Sequence, residues 1–338
     1  MILLALETSC DETAAAVVCS RRGVLASEVA SQIAIHRAFG GVVPEVASRH
    51  HLPQLRPLVE AALEKAGVAL GSIEAVAATA GPGLATSLML GMSVAKGLAV
   101  GLGKPFLAIN HLEGHLLSPF FSPYEPVGDD LPEIPPSIGL VVSGGHTLLM
   151  AIEGYGAYTI LGQTRDDAAG EAFDKVGKLL GLPYPGGPVI DRLAQEGDPK
   201  KYAFPRSMLN SGDFHFSFSG LKTSVRYLLP TLPPERRLED LCASFQEAVV
   251  DVLVGKAVAA AKQTGRNVIA VSGGVSCNRR LREKMENACG REGVRLLIAD
   301  RGLSTDNAAM IGLVALYQVR EKGASPLMVD VDPNLGLV

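Results

Sequence analysis

One pattern occurs twice in this chain and limits what it can fold into. Residues 2 to 6 are apolar, Glu7-Thr8-Ser9-Cys10-Asp11-Glu12-Thr13 is polar and hydroxyl-rich, and Ala14 to Val18 is apolar again. The same order returns as Ile138 to Val142, Ser143-Gly144-Gly145-His146-Thr147 and Leu148 to Ile152. Short apolar runs bounded by turn residues are the length of buried strands. Each copy therefore predicts a hairpin whose tip offers backbone N–H groups and polar side chains. One such unit at the start of each half suggests an internal duplication.

Between the hairpins, Leu55, Leu58, Val59, Ala62 and Leu63 recur at helical spacing, with Gly67 where that helix should stop. Ala75 to Ala80 predicts a strand running into Gly81-Pro82-Gly83, followed by a helix over about residues 84–98 and a short strand near Phe106 to Ile109. A glycine turn at a helix start either holds an anion on its unpaired N–H groups or simply connects. Residues 119 to 137, rich in proline and acid, predict a surface loop or lobe boundary. In the second half, Asp166 and Asp167 predict the N-cap and acidic first turn of a helix running through Asp174 and Lys175. Tyr184-Pro185-Gly186-Gly187-Pro188 allows a close backbone approach, with Asp191 just beyond, and the alternation in Phe214 to Gly220 predicts a strand or sheet edge. A long helix is expected from Leu238 to Gln263, ended by Gly265. Then Val268 to Val271 forms a strand entering Ser272-Gly273-Gly274-Val275-Ser276 and Asn278. Strand, double glycine and helix suit a phosphate or adenosine moiety held against backbone.

His111 and His115 stand four residues apart, which on a helix puts both imidazoles on one face, able to share one divalent metal. Glutamate does not directly follow His111, so this is not the His-Glu-x-x-His of zinc proteases. A further ligand must come from elsewhere. Asp306, before a helix through Met310, Ile311, Val314 and Tyr317, is either that ligand or the helix N-cap. With 338 residues, 47% hydrophobic and 20% charged, the chain reads as an ordinary globular protein of two lobes. A net charge of −4 gives no bulk sign of a nucleic-acid binder. Any such surface is local, at Arg49-His50-His51 with Arg56 or at Arg279-Arg280 with Arg282 and Lys284. Five cysteines without a Cys-x-x-Cys argue against a disulfide framework or thiolate zinc site and suggest a reducing compartment. The N-terminal residues lack a basic n-region, and the uncharged stretch 75–95 is broken by Gly81-Pro82-Gly83. A cytoplasmic protein is expected.

Taken together these residues resemble the bacterial TsaD (Gcp/YgjD) family, once labelled O-sialoglycoprotein endopeptidase. The matching stretches are Glu7 to Thr13, Gly40 to Glu45, Gly81 to Leu84, His111 to Leu116, Ser143 to Thr147, Asp166 to Lys175, Tyr184 to Pro188, Phe216 to Thr223, Ser272 to Asn278 and Thr305 to Met310. They run collinearly over nearly the whole chain, with Asn110 before the first histidine and Cys277 inside the glycine turn as small departures. The resemblance implies a fold of the actin, Hsp70 and sugar-kinase (ASKHA) type, two related α/β lobes around a nucleotide cleft. The lobes are expected at 1–118 with 307–338 and at 119–306. It implies transfer of the threonylcarbamoyl group from threonylcarbamoyl-AMP to N6 of adenosine 37 in tRNAs reading ANN codons. It also implies one metal, iron or zinc, on His111, His115 and Asp306, and an adenylate site at Val141, Val142, Ser143, Gly144, Gly145, Asp174, Gly187, Asp191 and Asn278. Asp11 is the candidate to take or position the amine's proton, with Glu12 the alternative. The implied partners are tRNA, a TsaB-like paralogue and a TsaE-like ATPase, with TsaC making the adenylate. An ATPase or kinase on the same fold, a nucleotide-dependent scaffold and a metalloprotease are the competing readings.

Overall fold

Leu3 to Leu6 are wholly shielded from solvent in the computed structural model, which describes residues 1–122 and 131–337. They belong to β1 (Ile2–Glu7), the middle strand of a five-stranded sheet with β2 (Glu12–Cys19), β3 (Gly23–Ser31), β4 (Ala75–Gly81) and β5 (Phe106–Asn110). The order is β3-β2-β1-β4-β5; β1–β2 and β2–β3 are antiparallel, while β1–β4 and β4–β5 are parallel. Helices α1 (Ile33–His36), α2 (Pro44–Ala66), α3 (Ala85–Leu102) and α4 (His111–Leu117) make the connections. Parallel neighbours need crossovers, and α3 supplies the one from β4 to β5. A cluster including Leu4, Leu6, Val17, Leu55, Val59, Val76 and Met92 forms a core here. Gly67 ends α2 in the left-handed conformation, as the sequence requires.

A second sheet repeats the first. Its strands are β6 (Ser137–Val142), β7 (Thr147–Gly154), β8 (Ala157–Gln163), β9 (Val268–Ser272) and β10 (Arg295–Ile298). The order β8-β7-β6-β9-β10 has the same antiparallel hairpins and parallel pairs. Each expected hairpin is therefore the start of one sheet, and the duplication is real at the level of topology. Helices α5 (Ala169–Leu179), α6 (Gly186–Leu193), α7 (Ser219–Leu228), α8 (Leu238–Thr264) and α9 (Arg279–Glu292) belong to this unit, with a core around Phe173, Phe216, Phe218 and Phe245. The chain then returns to the first unit through α10 (Arg301–Ser304) and α11 (Ala308–Glu321), which packs on β1 and β2.

The two compact units are Met1–Glu133 with Asp300–Val338, and Ile134–Ala299. The boundaries lie at 133/134 and 299/300, where the sequence suggested 118/119 and 306/307, so Asp306 falls in the first unit, with the histidines. The expected loop 119–137 lies partly outside the described residues; within them, Ser118 and Pro119 are buried in a 3-10 turn. Asp166 and Asp167 do not cap α5, whose N-cap is Ala168. The Asp166 carboxylate instead accepts from the Phe218 and Ser219 N–H groups (2.8 and 3.2 Å), capping α7 across a long stretch of chain. Phe214 to Gly220 is no strand: Phe216 makes one bridge to Thr164 and α7 begins at Ser219. The alternation there reflects Phe216 and Phe218 both entering the core.

Candidate active site

Asn110 starts the histidine helix. Its Oδ1 accepts from the Leu112 and Glu113 N–H groups at 2.8 and 3.3 Å, which fixes the first turn of α4 where β5 ends. His111 and His115 then lie one turn apart, both buried, with ring centroids 4.7 Å apart and planes nearly perpendicular. Asp306 faces them. Its Oδ1 is 3.6 Å from His111 Nε2 and 3.0 Å from His115 Nε2, and one donor atom from each residue lies within 4.8 Å of the others. Asp306 does not cap α11; Asn307 does, accepting from the Met310 N–H at 2.8 Å. Of the two roles open to Asp306 in the sequence, the geometry therefore favours the ligand. Two imidazole nitrogens and a carboxylate oxygen form a mixed donor set that fits zinc or iron, with positions left for substrate or water. Burial works against a proton on His111, but the carboxylates of Glu7 and Asp306 outweigh it and push the imidazole up to about 9.

The first hairpin tip belongs to the same unit. Asp11 is 8% exposed, and Glu12 accepts from the Ser31 hydroxyl at 3.0 Å. Burial, with the nearby carboxylates of Asp306 and Asp11, pushes Glu12 up to about 9. The tip is braced by His51 of α2, whose Nε2 bonds the Cys10 carbonyl at 3.0 Å and whose Nδ1 meets the Thr13 hydroxyl at 2.8 Å. A carbonyl only accepts, so Nε2 carries a proton, and burial holds this imidazole below the usual histidine range. His51, part of the expected basic patch, is fully buried, and only its place on the inner stripe of α2 hints at that in the sequence. The Gly81-Pro82-Gly83 turn is not an open anion site. Asp332 N–H donates to Ala80 O, and a Cβ at Gly83 would stand 2.5 Å from Ser9 O, so the glycines admit the chain's own backbone.

The residues expected at the adenylate sit in the second unit, around the second hairpin. Gly144 and Gly145 form an exposed tip with open space beside each Cα. Behind it, Gly170 at the start of α5 packs so tightly that a Cβ would lie 2.5 Å from Ser143 O, while the Gly170 N–H donates to that oxygen at 3.1 Å. Val141 and Val142 are buried residues at the end of β6. Asp174 accepts from the Gly186 N–H at 2.7 Å, tying α5 to the start of α6, where Gly187 keeps room beside it. Asp191 on α6 accepts from the Arg279 N–H at 3.2 Å. Asn278 caps α9 through Leu281 N–H at 3.0 Å and donates to Gln246 at 2.6 Å. A cavity of about 270 Å³ borders Asp191, Gln246 and Arg279. The second basic patch is spent on structure: Arg280 and Lys284 hold Glu247 (2.7 and 2.6 Å), and Arg282 donates to the Ser276 and Ala299 carbonyls.

The family model described as TsaD, tRNA N6-adenosine threonylcarbamoyltransferase, matches residues 23–313. A protein of that name from Geotalea uraniireducens (strain Rf4) is 50% identical over 336 residues, 98% of this chain and 96% of its own length. One from Geobacter sp. (strain M21) is 53% identical over 319 residues, 94% of this chain and 91% of its own. Among solved structures, component A of the Acidaminococcus fermentans (R)-2-hydroxyglutaryl-CoA dehydratase aligns with a TM-score of 0.56 at 14% identity, covering 95% of this chain and all of that one. Full-length HypF in its phosphate- and nucleotide-bound form aligns at 0.60 and 14%, covering 96% of this chain and 47% of that one. At that identity the two structures speak for the fold alone.

Proposed function

The chain belongs to the TsaD family of tRNA N6-adenosine threonylcarbamoyltransferases, and from that premise we propose how its residues perform the transfer. The donor is threonylcarbamoyl-AMP and the acceptor N6 of adenosine 37 in tRNAs reading ANN codons. The amine nitrogen bonds to the carbamoyl carbon, the bond from that carbon to the phosphate oxygen breaks, AMP leaves, and the amine gives up a proton. The exposed backbone of Gly144 and Gly145, with Val141, Val142 and Ser143 behind it, holds the adenylate, together with Asp174, Gly187, Asp191 and Asn278. N–H groups fixed in a hairpin tip cost no reorganisation when charge develops beside them. His111, His115 and Asp306 hold one divalent metal, iron or zinc, which when bound supplies a Lewis acid for charge on the phosphate or carbonyl side. Asp11 takes or positions the amine's proton; its neighbour Glu12 is engaged by Ser31 and is held protonated near neutrality.

The observation that carries this reading is the convergence of both Nε2 atoms on the Asp306 carboxylate beside a hairpin tip rich in acids. A TsaB-like paralogue, a TsaE-like ATPase and TsaC complete the cytoplasmic system. Exposed Leu52 on α2 and Met89 and Val100 on α3 support pairing of the paralogue with these helices. Single-turnover transfer from labelled threonylcarbamoyl-AMP, with the partners present, tests the reading. Label should reach a tRNA with adenosine 37, and be lost with guanosine 37 or with His111→Ala. Label unaffected by His111→Ala would remove the metal from the mechanism, and transfer to the guanosine tRNA would remove the site of modification.

A further inference from the structure

Glu7 is fully buried at the end of β1, yet its role is not that of a strand residue. Its Oε1 accepts from the Ser9 N–H at 2.5 Å. Its Oε2 accepts from the Thr79 hydroxyl at 2.5 Å and lies 3.1 Å from His111 Nδ1. The far nitrogen of the same ring, Nε2, is the one turned toward Asp306. His115 has no matching partner: among the described residues its Nδ1 is buried without a hydrogen bond.

From this geometry we propose that Glu7 is a positioning residue for the metal centre, accepting a hydrogen bond from the His111 Nδ1–H and so leaving Nε2 as the metal-binding lone pair. A neutral imidazole has one N–H and one acceptor nitrogen, and the partner of the first decides which is which. Glu7 is suited to this because both its oxygens are fixed by other donors, one from β1's own turn and one from β4, so the carboxylate cannot swing away. A carboxylate behind a ligating imidazole orients the ring and raises its basicity. Ser9 Oγ, at 3.2 Å from Nδ1, is the competing acceptor, but a hydroxyl carries no charge and is free to rotate. The inference rests on the proposed metal reading.

Glu7→Gln separates position from packing, because the shape is kept and the donor pattern reversed. Ser9 N–H can only donate, so it claims the amide oxygen. The amide NH₂ then faces Thr79, whose hydroxyl can turn to accept, and His111 Nδ1, which must accept. The ring proton is driven to Nε2, the atom the metal needs. Zn²⁺ is the probe, titrated into the full chain against a chromophoric chelator, with ¹⁵N imidazole spectra of the loaded protein. Wild type should show His111 metallated at Nε2 and protonated at Nδ1. Glu7→Gln should weaken Zn²⁺ binding by about 10- to 100-fold, and Ser9→Ala should leave the affinity unchanged. Undiminished affinity in Glu7→Gln, or loss in Ser9→Ala instead, would overturn the role of Glu7 alone. If Glu7→Gln does not fold, the wild-type spectrum decides: Zn²⁺ on Nδ1 refutes the assignment. A wild type that binds no Zn²⁺ overturns the metal reading itself.

Discussion

Asp306 and Asn307 are adjacent polar residues before the same helix, and they have separate jobs. Asn307 accepts from the Met310 N–H and caps α11, while Asp306 faces His111 and His115. The two substitutions should therefore dissociate. Asn307→Ala should cost about 1 kcal/mol of stability in a urea melt and leave the zinc titration alone. Asp306→Ala should abolish tight zinc binding with little change in the urea midpoint. At the hairpin tip, Asp11→Ala should slow single-turnover transfer by about 100-fold or more, while adenylate affinity and melting temperature hold. A rate within the error of wild type would assign the proton to another group. Which of two neighbouring acids or amides caps a helix is barely legible in a sequence, because both are good caps and one residue of register decides. The histidine pair was legible, since helical spacing alone puts both rings on one face.

At the scale of elements, the sequence is a reliable guide wherever period and stop agree. The α2 stripe ends at Gly67, and the long α8 ends at Gly265, both in the left-handed conformation. It fails where a polar side chain reaches out of its own segment. Asp166 and Asp167 resemble a local cap for α5, but the Asp166 carboxylate meets α7, bonding the Ser217 and Ser219 hydroxyls and two N–H groups. Those bonds hold its carboxyl below the usual range even though burial opposes them. Asp166→Ala should lower stability by about 1–2 kcal/mol, read as a fall in melting temperature, with α5 unaffected in amide exchange. Gly170 serves the neighbouring joint between α5 and the hairpin. Gly170→Ala would drive a Cβ against Ser143 O and Gly144, so adenylate binding, followed by calorimetry, should weaken along with stability. If Gly170→Ala bound the adenylate like wild type, the hairpin tip would not be the binding element.

For the whole molecule, the repeated sheet order shows that one plan was used twice, with a metal-type site on one copy and glycine turns on the other. Charge also joins elements here: Arg280 and Lys284 of the Arg-rich stretch on α9 tie it to Glu247 of α8. Burial alone would raise Glu247, but hydrogen bonds from Arg280 and Lys284 outweigh it and hold the carboxyl at about 2. A carboxylate whose folded value is depressed stabilises the protein above its ordinary value, and that contribution is lost as pH falls through the folded one. Stability should thus decline between about pH 4.5 and 2 in part through this group. Glu247→Gln should be less stable than wild type at pH 7 by about 1 kcal/mol, with the gap closing toward pH 2. A gap that stays constant across that range would show the network contributes nothing electrostatic.

Legible from the residues alone were the two hairpins, the strands beginning near Ala75, Phe106 and Val268, the glycine stops of α2 and α8, the duplication and the shared face of His111 and His115. All of these follow from periodicity and local steric rules acting within a few residues. Only the tertiary structure decided which partner each polar side chain took: Asp306 for the histidines, Asp166 for α7, His51 for the hairpin tip, and Glu7 for the ring behind the candidate metal site. Those choices join residues distant in the chain, and hydrogen-bond donors and acceptors carry no mark in the sequence of which distant neighbour will satisfy them.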